Sequence, residues 1–570
     1  MHKRGLSFAA LSFCIFILFS CASTPKASDE ESSVVVPAPQ KSSYTYFSSL
    51  PSRIMESAEN ASPEDLRQTA SRLHKSVAED YTESEKILLN ICSEVMAIVW
   101  PSESFTWEVP EISFSSNPYT GAIDSARRGI YDVSTGNTDF FTVLLPSLVL
   151  VTSPNRKDLY DLCEKSLLNA LNLKSSSVLA NYLMGLLCLY ENRNKEAISF
   201  FTRSLGFAPS VYELNYAIAK AYMQDRQYEK ALEISKGLLD KAPQNVSVLE
   251  LCAESSYALE DLDAAESYIV RVLLLEPENL RYVLFRAGIL ITKGDYIRAS
   301  SLLDMYAKTD TSSKEYLLLR ARMQRDWNKN NAASGETIGM ALTLYPDDKE
   351  ILLFAAEVSS SANILVGGYS ALEIAEKILS IDSSNVSAMK ISVSEYKKKE
   401  EWQTAYDINS KLIELSPNDK ENLYSQVDIC LALSKNEEAM RTSLQLYTSF
   451  PDDENAQSSY IKVLVSTNQK NSALQLITKL LSSASQKMKS FLYYERSFLS
   501  GTEDAVLSDL RSSLTANPRN KDALYRLYEI YYQKKDWRRA QYYLKQVVAL
   551  DPSNSVLLKK NSELDSLLGK

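Results

Sequence analysis

Most side-chain chemistry near neutral pH draws on imidazole, and this sequence holds only two histidines in 570 residues, His2 and His74. A Ser-His-Asp triad, a Cys-His pair or a His-liganded zinc site would each have to fall on His74. That residue stands in a polar stretch without a supporting motif and reads as a surface side chain. The seven cysteines form no CxxC, so neither a metal cage nor a redox pair is encoded locally. There is no glycine-rich phosphate loop, no HExxH and no GxSxG. Paired carboxylates among Glu103, Glu108, Glu111 and Asp124 are the remaining candidates for acid–base work. With imidazole so scarce, neither an enzyme nor a cofactor is expected.

The elements that carry these residues follow from composition. Hydrophobic residues make up 45% of the chain, with only 15 glycines and 18 prolines, which suits a helical protein. A chain of 570 residues exceeds what one core supports, so it is several domains or an array that adds core as it lengthens. The balance of 62 basic against 72 acidic side chains, net −10, lacks the basic footprint that nucleic acid requires.

Residues 1–20 place Lys3 and Arg4 before an apolar run from Leu6 to Phe19, the layout of a signal peptide. Leu18-Phe19-Ser20-Cys21 resembles the bacterial lipobox, with Phe19 bulkier than the small residue usual there. The resemblance implies that Cys21 carries the lipid (palmitate among its acyl chains) and anchors the protein to a membrane of the cell envelope, with the body in the periplasm or at the surface. Residues 21–45, rich in Ser, Pro and charge, read as a disordered tether. The longest later apolar run, Phe140 to Val151, contains Pro146 and reads as a buried helix rather than a span.

Internal repetition appears in the prolines. Pro209, Pro243 and Pro277 are 34 residues apart, as are Pro417 and Pro451, and Pro518 and Pro552. A ladder of small residues accompanies them at steps of twelve: Gly185, Ala197, Pro209; Ala219, Ala231, Pro243; Ala253, Ala265, Pro277. The phase runs on through Ala287 and Ala299, slips by three residues between Ala356 and Ala371, and resumes at Ala405, Ala439 and Ala540. Paired antiparallel helices approach closely only where facing side chains are small, and a proline stops the second helix. This period resembles the tetratricopeptide repeat, with aromatic sites such as Tyr222, Tyr228, Trp402, Tyr531 and Trp537 recurring. Repeats are expected to begin near Val178, Tyr212, Val246, Leu280, Glu315, Lys349, Val386, Lys420, Glu454, Lys487 and Lys521, with Arg322, Ile461 and Tyr494 replacing the small residue in three of them. A degenerate unit carrying Val151, Cys163 and Ser175 precedes them. The resemblance implies an all-α, right-handed superhelical solenoid of helical hairpins over 144–554, closed by a cap helix at 555–570. Residues 46–143 form a helical and loop-rich N-terminal region: Glu64 to Val99 is helical by its apolar spacing, and Pro101 to Thr138 is a functional loop or a small subdomain.

In the family that the repeat resembles, ligands lie along the first helix of each hairpin. By phase this gives Leu179, Tyr182, Leu186 and Leu189, then Glu213, Tyr216, Lys220 and Met223, then Ser247, Glu250, Glu254 and Tyr257, and at the far end Asp522, Tyr525, Glu529 and Tyr532. Tyr182, Tyr216, Lys220, Tyr257, Tyr525, Glu529 and Tyr532 are the candidate partner-binding residues. The apolar face around Tyr182 is expected to be covered by the segment Pro101 to Thr138, since such a stripe rarely stays bare. The two-lysine, two-asparagine carboxylate clamp of some family members is absent. Cys163, Cys188, Cys252 and Cys430 fall on repeat-core positions, and Cys92 in an apolar helix, where cysteine acts as a small hydrophobe. The expected function is a scaffold or adaptor for an envelope protein. The alternative is a transport or assembly accessory that cradles a small or lipidic ligand.

Overall fold

The computed structural model describes residues 46–75, 77, 80–103, 117–132, 139–552 and 554–569. Cys21, its leader and its tether lie outside the described residues, as do Glu108 and Glu111. The described residues are helical and contain no strand beyond an isolated bridge between Val366 and Tyr369. None of the described helices is long and apolar enough to cross a membrane.

The chain divides into two compact units, Met1–Asp310 and Thr311–Lys570. The first begins with α1 (Ser52–Asn60), α2 (Pro63–Leu73), α3 (Glu83–Val99), α4 (Pro118–Arg127), α5 (Phe140–Leu144), α6 (Val149–Thr152) and α7 (Tyr160–Leu173). Four hairpins follow: α8 (Val178–Tyr190) with α9 (Asn194–Phe207), α10 (Tyr212–Gln224) with α11 (Tyr228–Lys241), α12 (Val246–Ala258) with α13 (Leu262–Leu275), and α14 (Leu280–Lys293) with α15 (Tyr296–Tyr306). The second unit opens with α16 (Lys314–Asp326) and α17 (Asn331–Leu344), α18 (Lys349–Ala362) and α19 (Ala371–Ile381), and α20 (Val386–Lys398) and α21 (Trp402–Leu415). It continues with α22 (Lys420–Ala432) and α23 (Asn436–Ser449), α24 (Glu454–Ser466) and α25 (Lys470–Leu481), α26 (Gln486–Ser497) and α27 (Glu503–Ala516), α28 (Lys521–Gln533) and α29 (Trp537–Leu550), and it ends in α30 (Ser555–Leu567). This is a tetratricopeptide-like array.

The small-residue ladder is where the helices meet: Ala197, Ala219, Ala231, Ala253, Ala265, Ala287, Ala299, Ala405, Ala439 and Ala540 are all fully buried. Gly185 shows how close the approach is, since a Cβ there would stand 2.5 Å from the Phe201 ring. The turn recurs with the same period in eight of the eleven hairpins: Asn192, Arg226, Glu260, Gly294, Glu400, Ser434, Asn468 and Lys535 all adopt positive φ, and Gly294 is the one glycine among these eight. Each of these eight turns is closed by a six-residue backbone bond, as from Arg193 N–H to the Cys188 carbonyl at 2.8 Å and from Gln227 N–H to Tyr222 at 2.9 Å.

Several expectations change in detail. The repeat placed at Glu315 begins at Lys314, one residue earlier. Ala321, fully buried, therefore takes the ladder position and accepts a 2.9 Å bond from the Ser334 hydroxyl, while Arg322 moves off it. The next-to-last hairpin likewise begins at Gln486. The three-residue slip before Ala371 is a loop, 363–369, seated on α17. A Cβ on Gly335 would meet Ile364 at 2.8 Å and one on Gly339 would meet the Gly367 backbone at 3.0 Å, so both glycines make room for it. The stretch Glu64 to Val99 is two helices broken at 74–82, and Phe140 to Val151 is buried but split by Pro146 into two short helices around a tight turn.

The N-terminal region is not separate from the first repeats: one core runs without a break from Phe47 through Leu144, Cys163 and Leu183 to Ala221. Tyr119 of α4 donates to the Asp139 carboxylate at 2.7 Å, and Asp139 in turn accepts from the first amides of α5, Phe141 and Thr142, at 3.0 Å each.

Candidate functional site: the first-helix faces

In each unit the first helices of successive hairpins are neighbours, so the side chains left over from hairpin packing share one face. In the first unit that face starts closed. Leu179, Tyr182, Leu186 and Leu189 of α8 are all buried. Tyr182, expected among the partner-binding tyrosines, is only 7% exposed because the fully buried Trp100 ring lies 4.9 Å from its own. Among the described residues the ring that covers Tyr182 is Trp100, one residue ahead of the segment expected to do so. Residues 104–116 and 133–138 of that segment lie outside the described residues. Just beyond, the Ser102 amide donates to Glu213 of α10 at 2.7 Å and ties the cover to the next repeat.

Past this point the face opens. Tyr216 and Lys220 of α10 and Tyr257 of α12 are each half-buried. The Tyr257 hydroxyl shares a 3.0 Å bond with Thr292, and its ring meets Phe285 edge-on at 5.9 Å. Behind them stand Glu250 and Glu254, one helical turn apart on α12. Arg281 of α14 pairs with Glu250 and lies 3.6 Å from Glu254, and the Tyr282 hydroxyl donates to Glu250 at 3.1 Å. Burial pushes the Glu254 carboxyl up to about 7, reinforced by Glu250 and opposed by Arg281 and Lys220. Lys220 itself has no ion pair within 4 Å among the described residues, and it acts on Glu254 from a greater distance.

The second unit carries a pattern that the sequence reading missed. The ninth residues of its first helices are Arg322, Glu357, Ser394, Asp428, Lys462, Tyr494 and Glu529, and the charges tend to alternate from helix to helix. Arg325 lies 3.5 Å from Glu357 and Arg322 lies 3.2 Å from Glu350, both joining α16 to α18. Asp428 of α22 takes Lys397 of α20 at 3.1 Å and Lys462 of α24 at 3.8 Å. Only Asp428 and Lys462 join two ninth residues; the other pairs run from a ninth residue to a second or a twelfth, so one register position does not reveal them. Glu495 of α26 is the exception. At 6% exposure it has neither a hydrogen bond nor an ion pair to its side chain among the described residues. Burial pushes its carboxyl up to about 7 against the pull of Lys462 and Arg526.

At the far end, the three candidates on α28 are partly engaged. Lys560 of α30 donates to the Tyr525 hydroxyl and sits over the Tyr525 ring at 5.0 Å. Tyr532 packs edge-on against Trp537 at 5.2 Å, and Glu529 is exposed. The cysteines Cys92, Cys163, Cys188, Cys252 and Cys430 are buried and unpaired. Burial raises each thiol, to about 11 at Cys252 and about 12 at the others, which keeps them protonated. Among the described residues no group of His, Cys, Asp and Glu gathers to hold a metal ion.

Fold and faces together define a tetratricopeptide-like helical-repeat fold. Solved structures similar to it include yeast Tom70, at 14% identity over 69% of this chain and 96% of that one with a TM-score of 0.34. They also include the pilF protein of Pseudomonas aeruginosa, at 19% identity over 42% of this chain and 99% of that one with a TM-score of 0.32. A tetratricopeptide repeat protein from Parabacteroides merdae matches at 14% identity over 57% of this chain and 99% of that one, with a TM-score of 0.28. No family model and no curated protein matches the sequence.

Proposed function

We propose that this chain is an adaptor, anchored to a bacterial envelope membrane through lipid on Cys21, that holds a protein partner on the first-helix face of its first unit. The observation that carries this reading is the group Tyr216, Lys220 and Tyr257: two half-buried rings on adjacent first helices beside a cation without an ion pair. Aromatic rings supply contact area at low entropic cost, and a lysine selects an acidic group, a combination suited to an extended peptide segment. The charged faces of both units favour a protein partner over a lipidic ligand, which needs an apolar lining.

The test is a crosslinking pull-down from the native envelope, followed by affinity measurement on the captured partner. Tyr216→Ala with Lys220→Gln is expected to weaken binding by roughly tenfold or more while leaving the melting temperature unchanged. Undiminished affinity would remove this face from consideration. Separately, Cys21→Ala should move the protein from the detergent phase to the aqueous phase, and an intact mass showing an unmodified Cys21 would end the anchoring proposal.

A further inference from the structure

Hairpin α24/α25 differs from the one before it in how its helices are joined. In α22/α23, Gln426 Nε2 donates to Glu438 Oε1 at 2.8 Å across the pair, Asn409 Nδ2 donates to Gln426 Oε1 at 2.7 Å, and the Tyr406 hydroxyl donates to Glu438 Oε2 at 2.8 Å. This plug leaves Gln426 only 2% exposed. One period later, Tyr460 stands in place of Gln426 and Ser472 in place of Glu438, and a serine is too short to span the gap. Ile461, fully buried, occupies the ladder position opposite Ala473, where the preceding hairpin has Val427 opposite Ala439. The mutual contact of α24 and α25 is poorer than that of α22 and α23.

A pocket of about 230 Å³ fills the gap. Its floor is Leu464 and Leu476, and one wall is the stacked pair Tyr447 and Tyr460, with ring centroids 5.3 Å apart and planes at 18°. Its rim is Ser472, Gln475 and Lys479, all exposed, with side chains that have no partner among the described residues. Lys479 is the one charged residue in the lining.

We infer that this pocket takes the C-terminal residue of a peptide, an aromatic or branched side chain resting on the leucines and tyrosines and its carboxylate held by Lys479 and Gln475. Two observations converge on that chemistry. The space matches about one apolar residue, and the lining carries a single positive charge. An internal glutamate fits less well, because its two methylenes would leave the apolar floor wet. The site is distinct from the Tyr216 face, so the two proposals stand or fall separately.

The experiment uses the whole chain and a fluorescent tetrapeptide ending in phenylalanine, as free acid and as C-terminal amide, read by polarisation at low salt. The acid is expected to bind roughly fivefold more tightly than the amide, the range of an exposed ion pair. Lys479→Gln should abolish that preference, and Ser472→Glu, which puts a bulkier and negatively charged side chain on the rim, should block both peptides. Tyr216→Ala should change neither. Lys479→Gln and Ser472→Glu alter exposed residues, and an unchanged melting curve confirms that each variant folds. Equal binding of acid and amide, no binding of either, or full binding to Ser472→Glu would overturn the proposal. Competition by N-acetylphenylalanine as strong as by the peptide would reassign the pocket to a small acid and overturn the peptide reading.

Discussion

The Trp100 indole lies 4.9 Å from the Tyr182 ring and donates its N–H to the Ala61 carbonyl at 3.1 Å. One side chain thereby closes the first-helix face at α8 and bonds back to the end of α1. Trp100→Ala should destabilise the first unit by about 3–5 kcal/mol, as for a buried aromatic. Tyr182→Ala should likewise lower the melting temperature and spare partner binding, whereas Tyr216→Ala should do the reverse. Parallel thermal unfolding and binding measurements on the two tyrosine variants check this. Lost affinity with an unchanged melt for Tyr182→Ala would refute the cover.

Two glycines in one hairpin should respond oppositely to the same substitution. A methyl group at Gly185 would run into the Phe201 ring, while one at Gly206 meets nothing within 4 Å. Gly185→Ala should therefore cost about 1–3 kcal/mol by overpacking. Gly206→Ala, inside α9, should gain about 0.5–1 kcal/mol from reduced backbone entropy in the unfolded chain. Denaturant midpoints of the two variants check the sign of each, and a neutral Gly185→Ala would mean that Phe201 moves aside freely.

Stability should fall as pH rises from about 4.5 to about 7. The Glu254 and Glu495 carboxyls are raised from 4.5 to about 7 in the folded chain, chiefly by burial. Between those values the folded state holds protons that the unfolded state has released, so unfolding becomes easier as pH rises, and above about 7 no further loss accrues from these two groups. Each contributes on the order of 1–3 kcal/mol to that fall. Glu254→Gln with Glu495→Gln should flatten the profile over this window and raise the melting temperature at pH 8. An unaltered slope would show that both carboxylates are ionised in the folded protein. Carboxylates lowered by their partners, such as Asp419 beside Lys390 and Asp453 beside Lys420, act below pH 4 and leave this window clear.

The periodic part of this molecule was legible because it obeys a local rule. Ala219, Ala231 and Pro243 repeat at fixed steps since every hairpin solves the same packing problem, and nine of the eleven first helices begin at the residue the phase indicates. The turns were less visible. Positive φ recurs at Arg226, Glu260 and Ser434 without glycine to mark it, because the closing backbone bonds impose that conformation on whatever residue stands there. The one-residue shift that puts Ala321 rather than Arg322 on the ladder was hidden for a similar reason, since two adjacent positions differ by 100° around a helix and only packing chooses between them.

What the sequence alone determined is the architecture, a helical array whose repeats present equivalent residues at equivalent places. Equivalent places are not equivalent surroundings. Tyr182 and Tyr216 stand one period apart, yet one lies beneath Trp100 and the other is half open. Gln426 and Tyr460 stand one period apart, yet one seals its hairpin and the other lines a pocket. Those outcomes depend on residues remote in sequence, since Trp100 reaches α8 from 82 positions away, and on the lengths of side chains that must meet across a gap whose width is set by the whole stack. Local periodicity fixes where a side chain emerges; only tertiary packing decides what it meets.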